Sequence, residues 1–433
     1  MTSHARRAAA GASLAAAGLV AYQSARYKRR TRRRFDMPEG PAPGTDEYSQ
    51  LVTAMTGAPV RLGNRVDVMR NGVTLDTMLE AISQAKKTVD CSSYIYWPGA
   101  TADRFTEVFI ERAQAGVEVN LIFDGYGSAK LDGDHLDRLQ RSGVNVTIFH
   151  PLRWYNLKKL NNRMHRRILV VDGSLAFAGG VGIADVWTGD AQGPEHWRET
   201  HLRIEGPAVV DLFGAFLENW TEATGELLAG AHIAGPETFD DDGGGGDTHD
   251  GVALQVTRST PTGGSTAATE LFYTAIVGAR ERLWITTAYF APDRTFEDAL
   301  CAAAGRGVDV RVLVNGQKVD KEVARQAGQR SYGKLLEAGV RMFEYEQTML
   351  HAKVVLVDGR WGNVGSGNFD SRSLDLDLEI NVAVMDPDLV RELTDHFLED
   401  LEESTEIDLG TWKQRPLRQR AGELATEVIR QSL

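Results

Sequence analysis

LHAKVVLVDG, residues 350–359, holds a His, a Lys two positions on, four apolar residues and an Asp-Gly pair. MHRRILVVDG, residues 164–173, says nearly the same thing 186 positions earlier. The runs VVLV and ILVV are apolar and mostly β-branched, as a strand buried on both faces requires. On a strand, residues i and i+2 project to the same side. His351 therefore stands beside Lys353, and His165 beside Arg167. Asp172-Gly173 and Asp358-Gly359 then supply a tight turn into the next strand. In the second copy that strand leads into VGSGNFDSRS, where Ser366 and Asn368 are again two apart among glycines. Small residues there let backbone amides and short polar side chains approach an anion.

The phrases fall at the same place in two similar halves. The first half runs TLDTMLEAISQAKKTVDCSSYIYW, an amphipathic stretch, then AGVEVNLIFDGYG. The second runs ATELFYTAIVGARERLWITTAYF, an amphipathic stretch, then RGVDVRVLVNGQ. Each reads as helix, strand, helix, strand from its apolar spacing. LDRLQRSGVNVTIFH and YGKLLEAGVRMFEY follow, each a helix stopped by Gly and then a strand. The expected fold is α/β: two tandem duplicated domains, each a mixed sheet with helices on both faces, related by a pseudo-two-fold with the site at their interface. The boundaries expected are 60–229 and 252–408. A Gly/Asp-rich linker, 230–251, carries four consecutive glycines between them, and tails cover 1–35 and 409–433.

With 433 residues, 42% of them hydrophobic, the chain can build a sizeable core without staples. Cys91 and Cys301 stand far apart with no Cys/His cluster, so neither a disulfide framework nor a zinc site is expected. Residues 1–35 hold nine Lys or Arg and no acid, which leaves residues 36–433 with a formal charge of −21. So acidic a body argues against nucleic acid as a partner, because phosphate neutralisation needs a basic footprint. The apolar run 8–22 is short for a bilayer span. With the Arg-rich block after it, it reads as a weak anchor or interfacial helix that holds the body on the cytoplasmic face of the cell membrane; a simple tail is the alternative.

A His beside a Lys, near Gly-Ser-Gly-Asn, suits a phosphodiester. Imidazole attacks phosphorus or carries a proton, and Lys and Asn steady the non-bridging oxygens. The paired phrases resemble the HxKxxxxD signature of the phospholipase D superfamily. The second copy, His351, Lys353, Asp358, Gly365, Ser366 and Asn368, matches throughout. TAYFAPDRTF, RSYGKLLEAGVRMFEYEQTMLHAK, AFAGGVGIAD and HWRETHLRIEGPAV are similar to its bacterial cardiolipin synthase branch. The resemblance implies a ping-pong phosphatidyl transfer without metal or other cofactor. One His forms a phosphatidyl-histidine while the other acts as acid and base. It assigns the nucleophile to His165 and the acid/base to His351, although the symmetry of the sequence leaves that order open. It also implies that a later carboxylate in each half, Glu199 and Glu379, orients a histidine and favours the imidazolium. Asp172 and Asp358 are expected to hold turns. Two positions depart from the pattern: Arg167 stands in place of Lys, and Gly182 in place of Asn.

Residues 150–167, HPLRWYNLKKLNNRMHRR, carry six Lys or Arg and no acid. Trp154, Tyr155, Lys158 and Lys159 read as an interfacial stretch, aromatics at headgroup level and cations on anionic phosphates. The expected partners are anionic phospholipids, phosphatidylglycerol and cardiolipin, at a membrane surface. The rival readings are a phospholipase D that hands the phosphatidyl group to water or another alcohol, a phosphodiesterase acting on nucleic acid, and a non-catalytic lipid-binding homologue.

Overall fold

The apolar runs shared by the two halves become strands of one sheet. A computed structural model describes residues 35–37, 39–131, 133–151, 162–233, 251–261 and 264–416. The first half supplies β1 Val60–Arg70, β2 Thr88–Ser93, β3 Glu118–Asp124, β4 Asn145–Phe149, β5 Ile168–Val171, β6 Leu175–Gly179 and β7 Thr200–Glu205. The second supplies β8 Val252–Ser259, β9 Arg282–Thr286, β10 Phe290–Ala291, β11 Asp309–Asn315, β12 Arg341–Tyr345 and β13 Val354–Val357. After these come β14 Trp361–Gly365, β15 Phe369–Asp370, β16 Glu379–Met385 and β17 Ser404–Glu406. Fifteen strands form a continuous sheet in the order β17-β12-β11-β9-β13-β14-β16-β8-β1-β7-β6-β5-β2-β3-β4; β10 and β15 pair apart from it.

That order is palindromic. From β4 inward to β1, each strand has its counterpart from β12 inward to β8. The pseudo-two-fold therefore passes between β1 and β8, which pair antiparallel with a bulge between Arg61 and Asn64. In each half three neighbouring strands are parallel, β2-β3-β4 and β9-β11-β12, and the rest are antiparallel, including β17 at the edge of the second half. Parallel neighbours need crossovers, here the helices Ala100–Gln114 and Arg294–Gly305.

The two-residue period of a strand decides what each face packs against. Ile168 and Val170 enter the same core as Val354 and Leu356, under the helices Val209–Thr224 and Pro387–Glu402. Leu169 and Val171 turn to a second core, and Val355 and Val357 to a third. One layer is thus common to both halves and the other two are built almost wholly by one half each, which makes the interface between halves part of the main core.

The Asp-Gly turns follow β5 and β13. Asp172 and Gly173 have φ of 51° and 65°, and Asp358 and Gly359 have 51° and 68°. Two successive positive φ values are what a tight hairpin demands, and Asp-Gly accommodates them. The Asp172 carboxylate also accepts from the backbone N–H groups of Lys86, Lys87 and Thr88. Asp358 does the same for Arg280, Glu281 and Arg282. Each aspartate thereby ties its hairpin to the start of β2 or β9.

Candidate active site

Each histidine is strapped to the opposite half by backbone hydrogen bonds. The His165 N–H donates to Leu378 O at 3.0 Å, and the Leu378 N–H donates to Arg163 O at 2.8 Å. In the other half, the His351 N–H donates to Arg198 O at 2.7 Å, and the Arg198 N–H donates to Met349 O at 2.9 Å. These straps set each imidazole against the carboxylate that follows in the partner half. His165 Nδ1 lies 3.0 Å from Glu379, and His351 Nδ1 is hydrogen-bonded to Glu199. The pairing is crosswise, so neither half holds its own histidine.

The residues two positions on reach back to their histidines, as the strand period predicts. Arg167 donates from Nη1 to His165 O at 2.6 Å, and its Nη2 lies 3.2 Å from His165 Nε2. Lys353 donates to His351 O and holds its Nζ 2.9 Å from His351 Nδ1 and 3.8 Å from Glu199. All six side chains are buried. Both imidazoles line one cleft of about 360 Å³, which Asn368, Arg167 and Arg372 also line.

Ser366, expected at the phosphate, is fully buried and does not line the cleft. Its hydroxyl donates to Glu379 and accepts from the Ile380 N–H at 3.0 Å, so it anchors the carboxylate. Asn368 is the member of that pair at the cleft wall. The first half has neither residue. A Cβ on Gly182 would stand 2.8 Å from the Trp187 ring and 3.1 Å from Ile95, so the volume of the usual Asn is filled by an indole. Trp187 and Trp197 then pack on His351, with ring centroids 5.5 and 5.4 Å away. Tyr94 packs edge-on against His165 at 4.7 Å. No spacing in the sequence marks these three aromatics, although Trp197 stands in the HWRETH phrase itself.

Burial governs the charges. It pushes His165 down to about 4, with Arg167 adding to the effect and Glu379 opposing it. His351 is driven well below its ordinary value by burial and then by Lys353. The expectation that the carboxylates would favour imidazolium therefore fails in the free protein. Desolvation and the adjacent cations outweigh them, and both rings rest neutral. Lys353 is lowered to about 7 by burial, against the pull of Glu199. Burial raises Glu199. It also works to raise Glu379, but His165 and the Ser366 hydroxyl prevail and hold that group low.

The basic stretch divides. Trp154, Tyr155, Lys158 and Lys159 lie outside the described residues, as do residues 1–34. Arg163, Arg166 and Arg167 at its end are buried, with the Arg163 guanidinium over the Tyr126 ring at 4.4 Å. Among the described residues no three or more His, Cys, Asp or Glu side chains are grouped to hold a metal ion.

Comparison with known proteins gives a consistent result. The family described as cardiolipin synthase, PLD-like domain, matches residues 78–220 and 272–401. The chain is 34% identical over 382 residues to a cardiolipin synthase of Geobacillus sp. (strain WCH70), covering 88% of this chain and 74% of that one. It is 34% identical over 357 residues to cardiolipin synthase 2 of Bacillus anthracis, covering 82% and 68%. Among solved structures, the phosphatidylserine synthase of Haemophilus influenzae Rd KW20 superposes with a TM-score of 0.67 at 13% identity. That match covers 89% of this chain and 100% of the other, and shares the fold.

Proposed function

The chain belongs to the PLD-like cardiolipin synthase family, and on that premise we propose that it joins two phosphatidylglycerol molecules into cardiolipin with release of glycerol. The observation that carries the reading is the crosswise site: two buried imidazoles on one cleft, each held at Nδ1 by the other half's carboxylate. With Nδ1–H given to a carboxylate, Nε2 keeps its lone pair for attack or proton transfer.

His165 Nε2 attacks phosphorus of the first phosphatidylglycerol. The bond from phosphorus to the glycerol oxygen breaks, and glycerol leaves with a proton from His351. The phosphatidyl group is then on His165. His351 next takes the proton from a glycerol hydroxyl of the second phosphatidylglycerol, whose oxygen attacks phosphorus. The P–N bond breaks and cardiolipin forms. Arg167, now on His165 Nε2, turns to the non-bridging oxygens as Nε2 engages phosphorus, and Lys353 and Asn368 share that load.

Charge balance supplies the proton that His351 needs. Arg167 and Lys353 offset Glu199 and Glu379, so the neutral-imidazole site carries no net charge. An anionic phosphodiester adds one negative charge, and the site answers by taking up one proton. Glu379 is anchored by Ser366 as well as His165, and Glu199 by the Thr200 N–H as well as His351, so the choice of His165 as the nucleophile follows the family resemblance. We further assign the basic segment 1–35 and the stretch that carries Trp154, Tyr155, Lys158 and Lys159 to an anionic membrane surface on the cytoplasmic side. Among the described residues no helix is long and apolar enough to cross a membrane.

The test is product analysis with phosphatidylglycerol in mixed micelles. Cardiolipin and glycerol in equal amounts are expected from the intact protein, and neither from His165→Ala or His351→Ala. Phosphatidic acid as the main product would overturn the acceptor assignment in favour of a hydrolase.

A further inference from the structure

The two halves carry a matched pair of lysines at the cleft. Strand β3 runs on into Asp124-Gly125 and reaches Lys130 six residues after Asp124; β11 runs on into Asn315-Gly316 and reaches Lys321 six residues after Asn315. Both lysines line the cleft that holds the histidines. Each rests on an aromatic ring of its own half: Lys130 Nζ is 3.9 Å from the Trp97 centroid, and Lys321 Nζ is 5.2 Å from that of Tyr289. Neither lysine is buried, and neither has a place in the transfer chemistry above.

The pair is not equivalent in charge. Beside Lys321 stands Asp320, which also lines the cleft and accepts the Tyr289 hydroxyl at 2.6 Å. The residue at that place in the first half is Ala129, and among the described residues no ion pair involves Lys130. Arg372, another cation of the cleft, lies 3.3 Å from Asp377. Among the described residues, Lys130 is thus the cleft lysine with no cleft-lining carboxylate next to it in sequence. Its position also points to one histidine. Trp97 meets Trp197 edge-on at 6.4 Å, and Trp197 packs on His351 at 5.4 Å.

Joining two phosphatidylglycerols brings two phosphodiesters into one cleft, linked in the product by a three-carbon bridge. The floor, with its two cations offset by two carboxylates, is balanced for one. We propose that Lys130, seated on Trp97, is the subsite for the acceptor lipid's own phosphodiester, placing the acceptor's free hydroxyl at His351. This rests on the function proposed above. An exposed ammonium parked on a ring is released to a phosphate at little cost, since the ring holds it more weakly than a phosphodiester does. On the opposite rim, Asp320 and Lys321 together suit the hydroxyls of an uncharged alcohol.

The experiment offers the protein phosphatidylglycerol and butanol together in mixed micelles and reads the ratio of cardiolipin to phosphatidylbutanol. Lys130→Ala is expected to lower that ratio about tenfold or more, the loss of one charged contact to phosphate. Lys130→Arg is expected to restore most of it. Lys87→Ala, at the other end of β2, removes an equal charge from outside the cleft and is expected to leave the ratio unchanged. A folded Lys130→Ala with the original ratio overturns the subsite alone, and so does an equal fall in Lys87→Ala. An intact protein that makes phosphatidylbutanol but no cardiolipin overturns the proposed function and the subsite with it.

Discussion

At the scale of single residues, the two departures from the HxKxxxxD pattern have different physical meanings. Arg167 keeps the charge and uses its longer fork to bridge the backbone and ring of His165. Gly182 is a packing choice, because the room for a side chain is taken by Trp187. Restoring the usual residue should therefore harm the protein. Gly182→Asn is expected to lose about 1–3 kcal/mol from overpacking, seen as a lower urea midpoint, and Trp187→Ser in the same chain should recover part of it. The titrations make a second expectation. His165 must be neutral to attack, so kcat/KM rises as pH climbs through about 4. Lys353 must be charged to hold phosphate, so kcat/KM falls as pH climbs through about 7. Lys353→Arg, whose guanidinium stays protonated, should carry that falling limb to higher pH; an unmoved limb would mean another group titrates there. His165, His351 and Lys353 stood out because the same spacing recurs at the same place in both halves. The reason for Gly182 was not, since it depends on how an indole five residues on folds back.

At the scale of elements, strands were legible because alternation survives in sequence: ILVV and VVLV read as buried on both faces, and their residues do divide between cores. The straps that aim the histidines were not. Met164 with Leu378 and Arg198 with Leu350 are isolated bridges between distant segments, and a single bridge leaves no period to read. The Asp-Gly hairpins lie between these cases. The turn was readable; the three backbone N–H groups gathered by each carboxylate were not. Asp358→Ala removes those bonds and puts a Cβ-bearing, non-bonding residue at φ 51°. It is expected to cost about 1–3 kcal/mol in chemical denaturation, whereas Asp358→Asn, which tolerates that φ, should cost less. Because Asp358 contacts no cleft group, KM for lipid should move little in either variant.

At the scale of the whole molecule, the duplication was plain in the repeated phrases, but the fusion of both halves into one sheet was not. β1, VRLGNRVDVMR, is partly exposed and interrupted by a glycine at its bulge, and such a strand carries little alternation. Once β1 pairs with β8 and a common core forms beneath the helices Val209–Thr224 and Pro387–Glu402, the halves no longer depend on their covalent link. A protease site placed within 234–250 and cut after folding should leave the fragments together on gel filtration, with most activity retained. Either half produced alone should be inactive, since each histidine would lack its carboxylate. Fragments that part on cutting would show that β1–β8 pairing and the common core are too weak to unite the halves. The most direct measurement is to mix the protein with phosphatidylglycerol, quench in alkali, and weigh its peptides by mass spectrometry. A phosphatidyl increment is expected on the peptide containing His165 and is expected to be absent from His165→Ala. An increment on the His351 peptide, or cardiolipin formed with no adduct on either histidine, would contradict it.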